Sequence, residues 1–137
     1  GDKNAAVVFE TLVRLSGYVI VQKYLPAATE GDKRILVLQG EILGAVLRLH
    51  GENDHRNNFA AGGSANAASI TAEDENIVAT LRPHLTNLGI FFAGIDVIGG
   101  KLIEVNVTSP TCLREMQKFT GENLAKKIID AAARAAS

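Results

Sequence analysis

Asp96-Val97-Ile98-Gly99-Gly100-Lys101-Leu102-Ile103-Glu104-Val105-Asn106-Val107-Thr108-Ser109-Pro110 is the stretch that decides the fold of this chain. Gly99-Gly100 suits a two-residue turn, because glycine tolerates positive φ, and β-forming residues flank it. The reading is a β-hairpin, with Asp96 on one strand and Glu104 and Asn106 on the other. Side chains two apart share a strand face, so Glu104 and Asn106 point one way. Val105 and Val107 point the other way, towards a core. Two carboxylates and an amide then converge on one spot. All are hard oxygen donors, a set that suits Mg²⁺ and leaves positions for water or phosphate oxygens. Polar residues inside an apolar hairpin are costly unless something satisfies them. The same alternation also fits a plain amphipathic hairpin whose polar residues face solvent.

Working outward, residues 90–98 and 102–107 are the strands of this hairpin. Residues 34–38 and 41–49 read as two more strands about a Gln39-Gly40 turn. Residues 18–23, β-branched and aromatic, read as a strand ending near Tyr24-Leu25-Pro26, and a polar loop, 28–33, follows. Together these make an antiparallel meander. Ala5, Val8, Leu12 and Leu15 form a helical stripe over residues 4–16, stopped by Gly17. A second helix starts at Thr71, with Glu73 and Asp74 in its first turn, and runs to about Leu88 before Gly89. Pro83 lies inside it, where it kinks or splits a helix. Alanine-rich residues 121–136 form a third helix. Residues 50–69 lack strong periodicity, and such a stretch inside a compact domain is usually functional or mobile. The expected fold class is α+β: a mainly antiparallel sheet packed against helices, in one domain without repeats or linkers.

The chain has 137 residues, 47% of them hydrophobic and 21% charged, which is the composition of a globular domain with a real core. A net charge of −1 gives no global field for nucleic acid or a membrane surface, so any anion site is local. No apolar run approaches the length of a membrane span, and no secretory signal opens the sequence. The one cysteine, Cys112, cannot form an internal disulfide and fits a reducing cytosol, so a cytoplasmic location is expected. No motif links His50, His55 or His84 to it, which favours a bystander over a nucleophile. His50 and His55, with Asp54, lack a regular metal-ligand spacing and read as solvent-exposed loop residues.

Two further constellations stand out. In Val21-Gln22-Lys23-Tyr24-Leu25-Pro26, a strand end turning at proline exposes backbone groups that pair with a purine edge, and Tyr24 and Leu25 offer apolar surface. Arg34, beyond Gly31-Asp32-Lys33, is placed to meet a phosphate or carboxylate. An ordinary strand–loop–strand reads the same way. Arg48, Arg56 and the loop Asn57-Asn58-Phe59-Ala60-Ala61-Gly62-Gly63 suit anionic groups, since guanidinium binds oxyanions in bidentate fashion and Gly-Gly allows close approach. A solvated surface loop is the alternative.

Read in order, the strings Gln22-Lys23-Tyr24-Leu25-Pro26-Ala27, Gly31-Asp32-Lys33-Arg34, Arg56 to Gly63, and Gly94-Ile95-Asp96 through Thr111-Cys112 resemble the bacterial glutathione synthetases, in the C-terminal part of their ATP-grasp domain. The resemblance covers essentially all of residues 1–137 and implies an ATP-grasp-like C-terminal subdomain. It implies that the family's N-terminal substrate domain and glycine-rich loop lie outside this sequence, so that the isolated chain is inactive. By the same resemblance, Gln22, Lys23, Tyr24 and Leu25 line the adenine pocket and Asp32 holds the ribose. Asp96, Glu104 and Asn106 ligate Mg²⁺, with Mn²⁺ as the alternative cation. Arg34 and Arg48 act catalytically on the acyl phosphate and phosphates. Arg56, Asn58, Ser109 and Thr111 contact the peptide substrate, and the loop after Arg48 is a lid. Ser64 stands where the family commonly has a basic residue.

The implied reaction is ATP-dependent joining of γ-glutamylcysteine to glycine through an acyl phosphate. The implied partners are ATP and those two substrates, with a homo-oligomeric parent enzyme and no nucleic acid or membrane. Another ATP-grasp carboxylate–amine ligase, and a non-catalytic nucleotide-binding or self-associating fragment, are the alternatives.

Overall fold

The computed structural model describes residues 3–49 and 64–136. Helix α1 spans Ala5–Ser16, and a short 3₁₀ helix spans Pro26–Glu30. Strands β1 (Asp32–Leu38), β2 (Glu41–Leu49) and β3 (Ser64–Ala67) come next. After α2 (Ala72–Asn87) come β4 (Phe92–Ile98) and β5 (Lys101–Asn106), then α3 (Leu113–Thr120) and α4 (Leu124–Ala135). The five strands form one sheet in the order β3-β2-β1-β4-β5, with every neighbouring pair antiparallel. The α+β expectation is met.

The sheet carries helices on both faces, and β1 explains why. Its run Ile35-Leu36-Val37 is continuous rather than alternating, the pattern of a strand buried on both sides. Ile35 and Val37 pack with Ala45, Ala93, Ile95 and Val97 against Val78 and Leu85 of α2. Leu36 packs the opposite way, with Val46, against Cys112, Met116 of α3 and Leu124 of α4. Each fully buried aliphatic side chain contributes roughly 1.5–3 kcal/mol. Thr71 and Asp74 close a capping box at the start of α2, whose first turn holds Glu73, Asp74 and Glu75.

Some expectations need correction. Residues 18–25 form no strand; Tyr18, Ile20, Val21 and Tyr24 are all exposed. Their β-forming composition finds no ladder partner among the described residues, and β propensity without pairing does not make a strand. Val105 and Val107 are not core residues, being 37% and 52% exposed. The helical stripe of α1 exists, but none of its residues is buried. Helix α3 and strand β3 were not expected. Residues 121–123 precede α4 rather than join it.

Candidate functional site

Strand β1 puts Asp32 and Arg34 on the same face as Leu36, two residues further on. Pairing supplies the rest. Asp32 lies opposite Arg48 on β2, and Arg34 opposite Asp96 on β4. The Arg34 guanidinium grips Asp96 twice, from Nε to Oδ1 and from Nη2 to Oδ2 at 2.9 Å. Arg48 grips Asp32, with Nε 3.1 Å from Oδ1 and Nη2 on Oδ2. The same Arg48 Nη2 also stands 3.0 Å from Asp96 Oδ2. Two arginines and two aspartates thus form one chain of charge-assisted contacts, and three of the four, Asp32, Arg34 and Asp96, are buried.

A bulge completes the site. With Ile98 opposite Lys101 and Val97 opposite Leu102, a regular ladder would set Asp96 against Ile103. The register slips between Asp96 and Val97, and Asp96 faces Glu104 instead. Ile103 is the extra residue. Without that slip, the period of two would turn Glu104 and Asn106 to the α2 side of the sheet. With it, Asn106 Nδ2 reaches to 3.5 Å from Asp96 Oδ2, and Glu104 opens into the same cavity. Gly99 and Gly100, with φ of 53° and 70°, form the expected turn.

The cavity has a volume of about 420 Å³. Asp32, Arg34, Arg48, Asp96, Glu104 and Asn106 line it, with Thr108 to Thr111 forming one wall. Gly94 is its floor. A Cβ there would come within 2.8 Å of Pro110 Cβ and 3.3 Å of Arg34 Cδ, so only glycine lets both lie across the strand. Next door, a cavity of about 380 Å³ is lined by Gln22, Lys23, Tyr24, Leu25 and Lys101. Ile98 and Ile103 line both cavities, so the two spaces share an apolar wall.

Burial works against the Arg48 charge, but hydrogen bonding to Asp32 and the fields of Asp96 and Asp32 outweigh it, and its pKa rises above the usual value. Arg48 is therefore a fixed cation. Burial pushes the Cys112 thiol up, opposed by the neighbouring Thr111 hydroxyl and by Arg34 and Arg48. Cys112 is 4% exposed, and a buried thiol held protonated is a poor nucleophile.

The structure thus gathers Asp32, Arg34, Arg48, Asp96, Glu104, Asn106, Ser109 and Thr111 around one cavity, and Gln22, Lys23, Tyr24 and Leu25 around its neighbour. Arg56, Asn58, His50, His55 and the lid fall outside the described residues. Sequence reading missed Ile98, Ile103, Gly94 and Pro110. An isolated glycine in a strand, as in Phe92-Ala93-Gly94-Ile95, was the available signal for a close approach.

Among the described residues, no three His, Cys, Asp or Glu side chains gather as a metal cage. The donor set Asp96, Glu104 and Asn106 fits a hard cation that takes its remaining ligands from water or a phosphate, the habit of Mg²⁺. No helix among the described residues is long and apolar enough to cross a membrane.

Comparison with known proteins follows the same lines. Residues 1–121 match the family described as prokaryotic glutathione synthetase, ATP-grasp domain. Glutathione synthetase of Thermosynechococcus vestitus is 47% identical over 130 residues, covering 94% of this chain and 41% of that protein. That of Pseudomonas aeruginosa is 42% identical over 135 residues, covering 97% and 43%. The chain spans about two fifths of the length of these curated relatives. Among solved structures, D-alanine–D-alanine ligase from Bacillus anthracis complexed with ATP has a TM-score of 0.62 at 20% identity, over 98% of this chain and 48% of that one. That likeness is one of fold.

Proposed function

Because the chain belongs to the prokaryotic glutathione synthetase family, through its ATP-grasp domain, we propose that its cavity binds ATP with a divalent cation and serves the joining of γ-glutamylcysteine to glycine. The observation that carries this reading is the cavity where Asp96, Glu104 and Asn106 face Arg34 and Arg48. Oxygen donors for a cation stand beside guanidinium donors for the phosphates it accompanies.

In this reading the purine lies in the cavity beside Gln22 to Leu25. Backbone groups there meet its edge, and Ile98 and Ile103 supply apolar surface towards the phosphates. Asp32 serves the ribose, through a carboxylate that Arg48 already orients. Asp96, Glu104 and Asn106 hold Mg²⁺ or Mn²⁺, which when bound neutralises phosphate charge. Arg34 and Arg48 stabilise charge on the transferring phosphoryl group. The carboxylate of γ-glutamylcysteine attacks the γ-phosphorus, ADP leaves, and an acyl phosphate forms. The glycine amine then attacks the acyl carbon, and inorganic phosphate leaves. Ser109 and Thr111, on the cavity wall, orient the peptide, together with Arg56 and Asn58. Holding both reactants in line is the larger part of such catalysis. No enzyme nucleophile is required, which leaves Cys112 outside the chemistry. A cytoplasmic, homo-oligomeric enzyme completes the reading.

The test is phosphate release from ATP, measured on residues 1–137 grafted into a full-length relative in place of the matching portion. Release that needs γ-glutamylcysteine and glycine together is expected. Release that ignores either substrate contradicts the proposal.

A further inference from the structure

Asp96 is the one side chain in the cavity that both arginines hold. Its Oδ2 receives Arg34 Nη2 at 2.9 Å and Arg48 Nη2 at 3.0 Å, with Asn106 Nδ2 at 3.5 Å beyond them. Its Oδ1 receives Arg34 Nε. A carboxylate oxygen offers two lone-pair directions, so Oδ2 is fully engaged. A cation seated between Asp96 and Glu104 needs one of those directions back.

The two arginines are not equivalent in what they stand to lose. Among the described residues Arg34 makes both of its hydrogen bonds to Asp96, and leaving would strand a buried guanidinium. Arg48 has a second carboxylate. It holds Asp32 through Nε and Nη2 and touches Asp96 through Nη2 alone. It can give up Asp96, keep Asp32, and stay paired throughout.

Resting on the cation site proposed above, we infer that Arg48 is a resident cation of Asp96 that a divalent metal must displace, and that the displaced Nη2 donor turns to the phosphate arriving with the metal. Asp96 Oδ2 already carries two guanidinium donors and has no third lone pair to offer, and a divalent charge added beside both guanidiniums is repelled by each. Arg48 therefore holds the metal site closed to a free cation and opens it to a cation that brings an anion. The coupling is reciprocal: whatever factor a nucleotide adds to metal affinity, the metal adds to nucleotide affinity.

The experiment is Mn²⁺ binding to the 137-residue chain, read by electron paramagnetic resonance of the free ion, with and without ADP. The variants are Arg48→Met, the double variant Asp32→Asn/Arg48→Met, and Glu104→Gln. The double variant removes both partners of a buried pair, so it keeps the test valid if the single variant fails to fold. Expected are Mn²⁺ affinity without ADP raised about tenfold or more, the worth of one charged hydrogen bond, and a matching fall in the factor that ADP adds. Mn²⁺ affinity unchanged or weakened in a folded double variant overturns the inference. If Glu104→Gln still abolishes Mn²⁺ binding in that case, the cation site stands and only the role of Arg48 falls. If no variant binds Mn²⁺ with or without ADP, both fall together.

Discussion

Lys33 and Arg34 are neighbours on one strand and reach opposite faces of the sheet, where each meets a buried aspartate. Lys33 Nζ sits 2.6 Å from Asp74 Oδ2 and donates to the Ser69 carbonyl oxygen at 3.0 Å. Asp74 also accepts from the Thr71 amide, 2.9 Å away, and so anchors α2 to β1. Neither residue lines the site cavity. Arg34 and Asp96 look alike as a pair, yet they adjoin Arg48, Asp32, Glu104 and Asn106 at the wall of an open cavity. The difference teaches that burial of an ion pair does not separate structure from site. What separates them is whether the charges are closed off among themselves or stand beside further unspent donors and acceptors.

The largest expected effect breaks the structural pair. Asp74→Ala takes the carboxylate from Lys33 and removes the half of the capping box that accepts from the Thr71 amide, so it should destabilise the fold by about 3–5 kcal/mol. Urea denaturation would measure this. The Lys33 side chain is 19% exposed and that of Asp74 2%, so solvent screening reduces this little. Burial raises the Asp74 pKa, but hydrogen bonds from Lys33 and Thr71 more than offset it and hold the carboxyl below its usual value. A depressed carboxylate pKa stabilises the fold above the unfolded value, and that share is lost as pH falls through the folded value. Wild-type stability should therefore drop below about pH 4, and the drop should be smaller in Asp74→Ala. Equal acid sensitivity in both proteins would erase the contrast between the two faces.

Next comes a register test. Deleting Val105 sets Asn106 opposite Ile95, on the α2 face, and should sharply weaken Mg²⁺-dependent nucleotide binding in a chain that still folds. Nucleotide binding that survives this deletion unchanged would show that the site does not need Asn106 on its face of the sheet. Gly94→Ala should act on both properties at once. Crowding against Pro110 should destabilise the fold by about 1–3 kcal/mol, and displacement of Arg34 should weaken ADP binding several-fold. Thermal unfolding and titration, run side by side, would separate the two. Glu104→Gln is the mildest for stability, because Glu104 is exposed. It should change unfolding by less than about 0.5 kcal/mol while weakening Mg²⁺-ADP. A large stability loss with normal binding would move Glu104 from the site to the scaffold.

The hairpin was legible because its signals are local: Gly99-Gly100 fixes the turn, and β-forming residues flank it. That Asp96, Glu104 and Asn106 meet was read correctly, but for an incomplete reason. Regular alternation counted from the turn sends Glu104 to the wrong face, and the bulge that corrects it has no local signature. That Arg34 meets a carboxylate was legible, but which carboxylate it meets was not. Arg34 and Asp96 lie 62 residues apart and meet only because β4 pairs with β1 rather than with β3. Residues 18–25 misled because composition reports β preference and not the presence of a partner. Helix α3 is eight residues long with only Met116 buried, too short for a periodicity to show. The roles of Gln22, Lys23, Asp32, Asn58, Ser109 and Thr111 came from family resemblance and not from spacing.

The central claim is that the cavity of Asp96, Glu104 and Asn106 opposite Arg34 and Arg48 is a cation-dependent nucleotide site. Calorimetric titration of the 137-residue chain with ADP, with and without Mg²⁺, tests it most directly. The account expects binding that Mg²⁺ strengthens at least tenfold and that Glu104→Gln returns to the Mg²⁺-free level. A folded chain that binds ADP equally well in both conditions, or not at all, would contradict it.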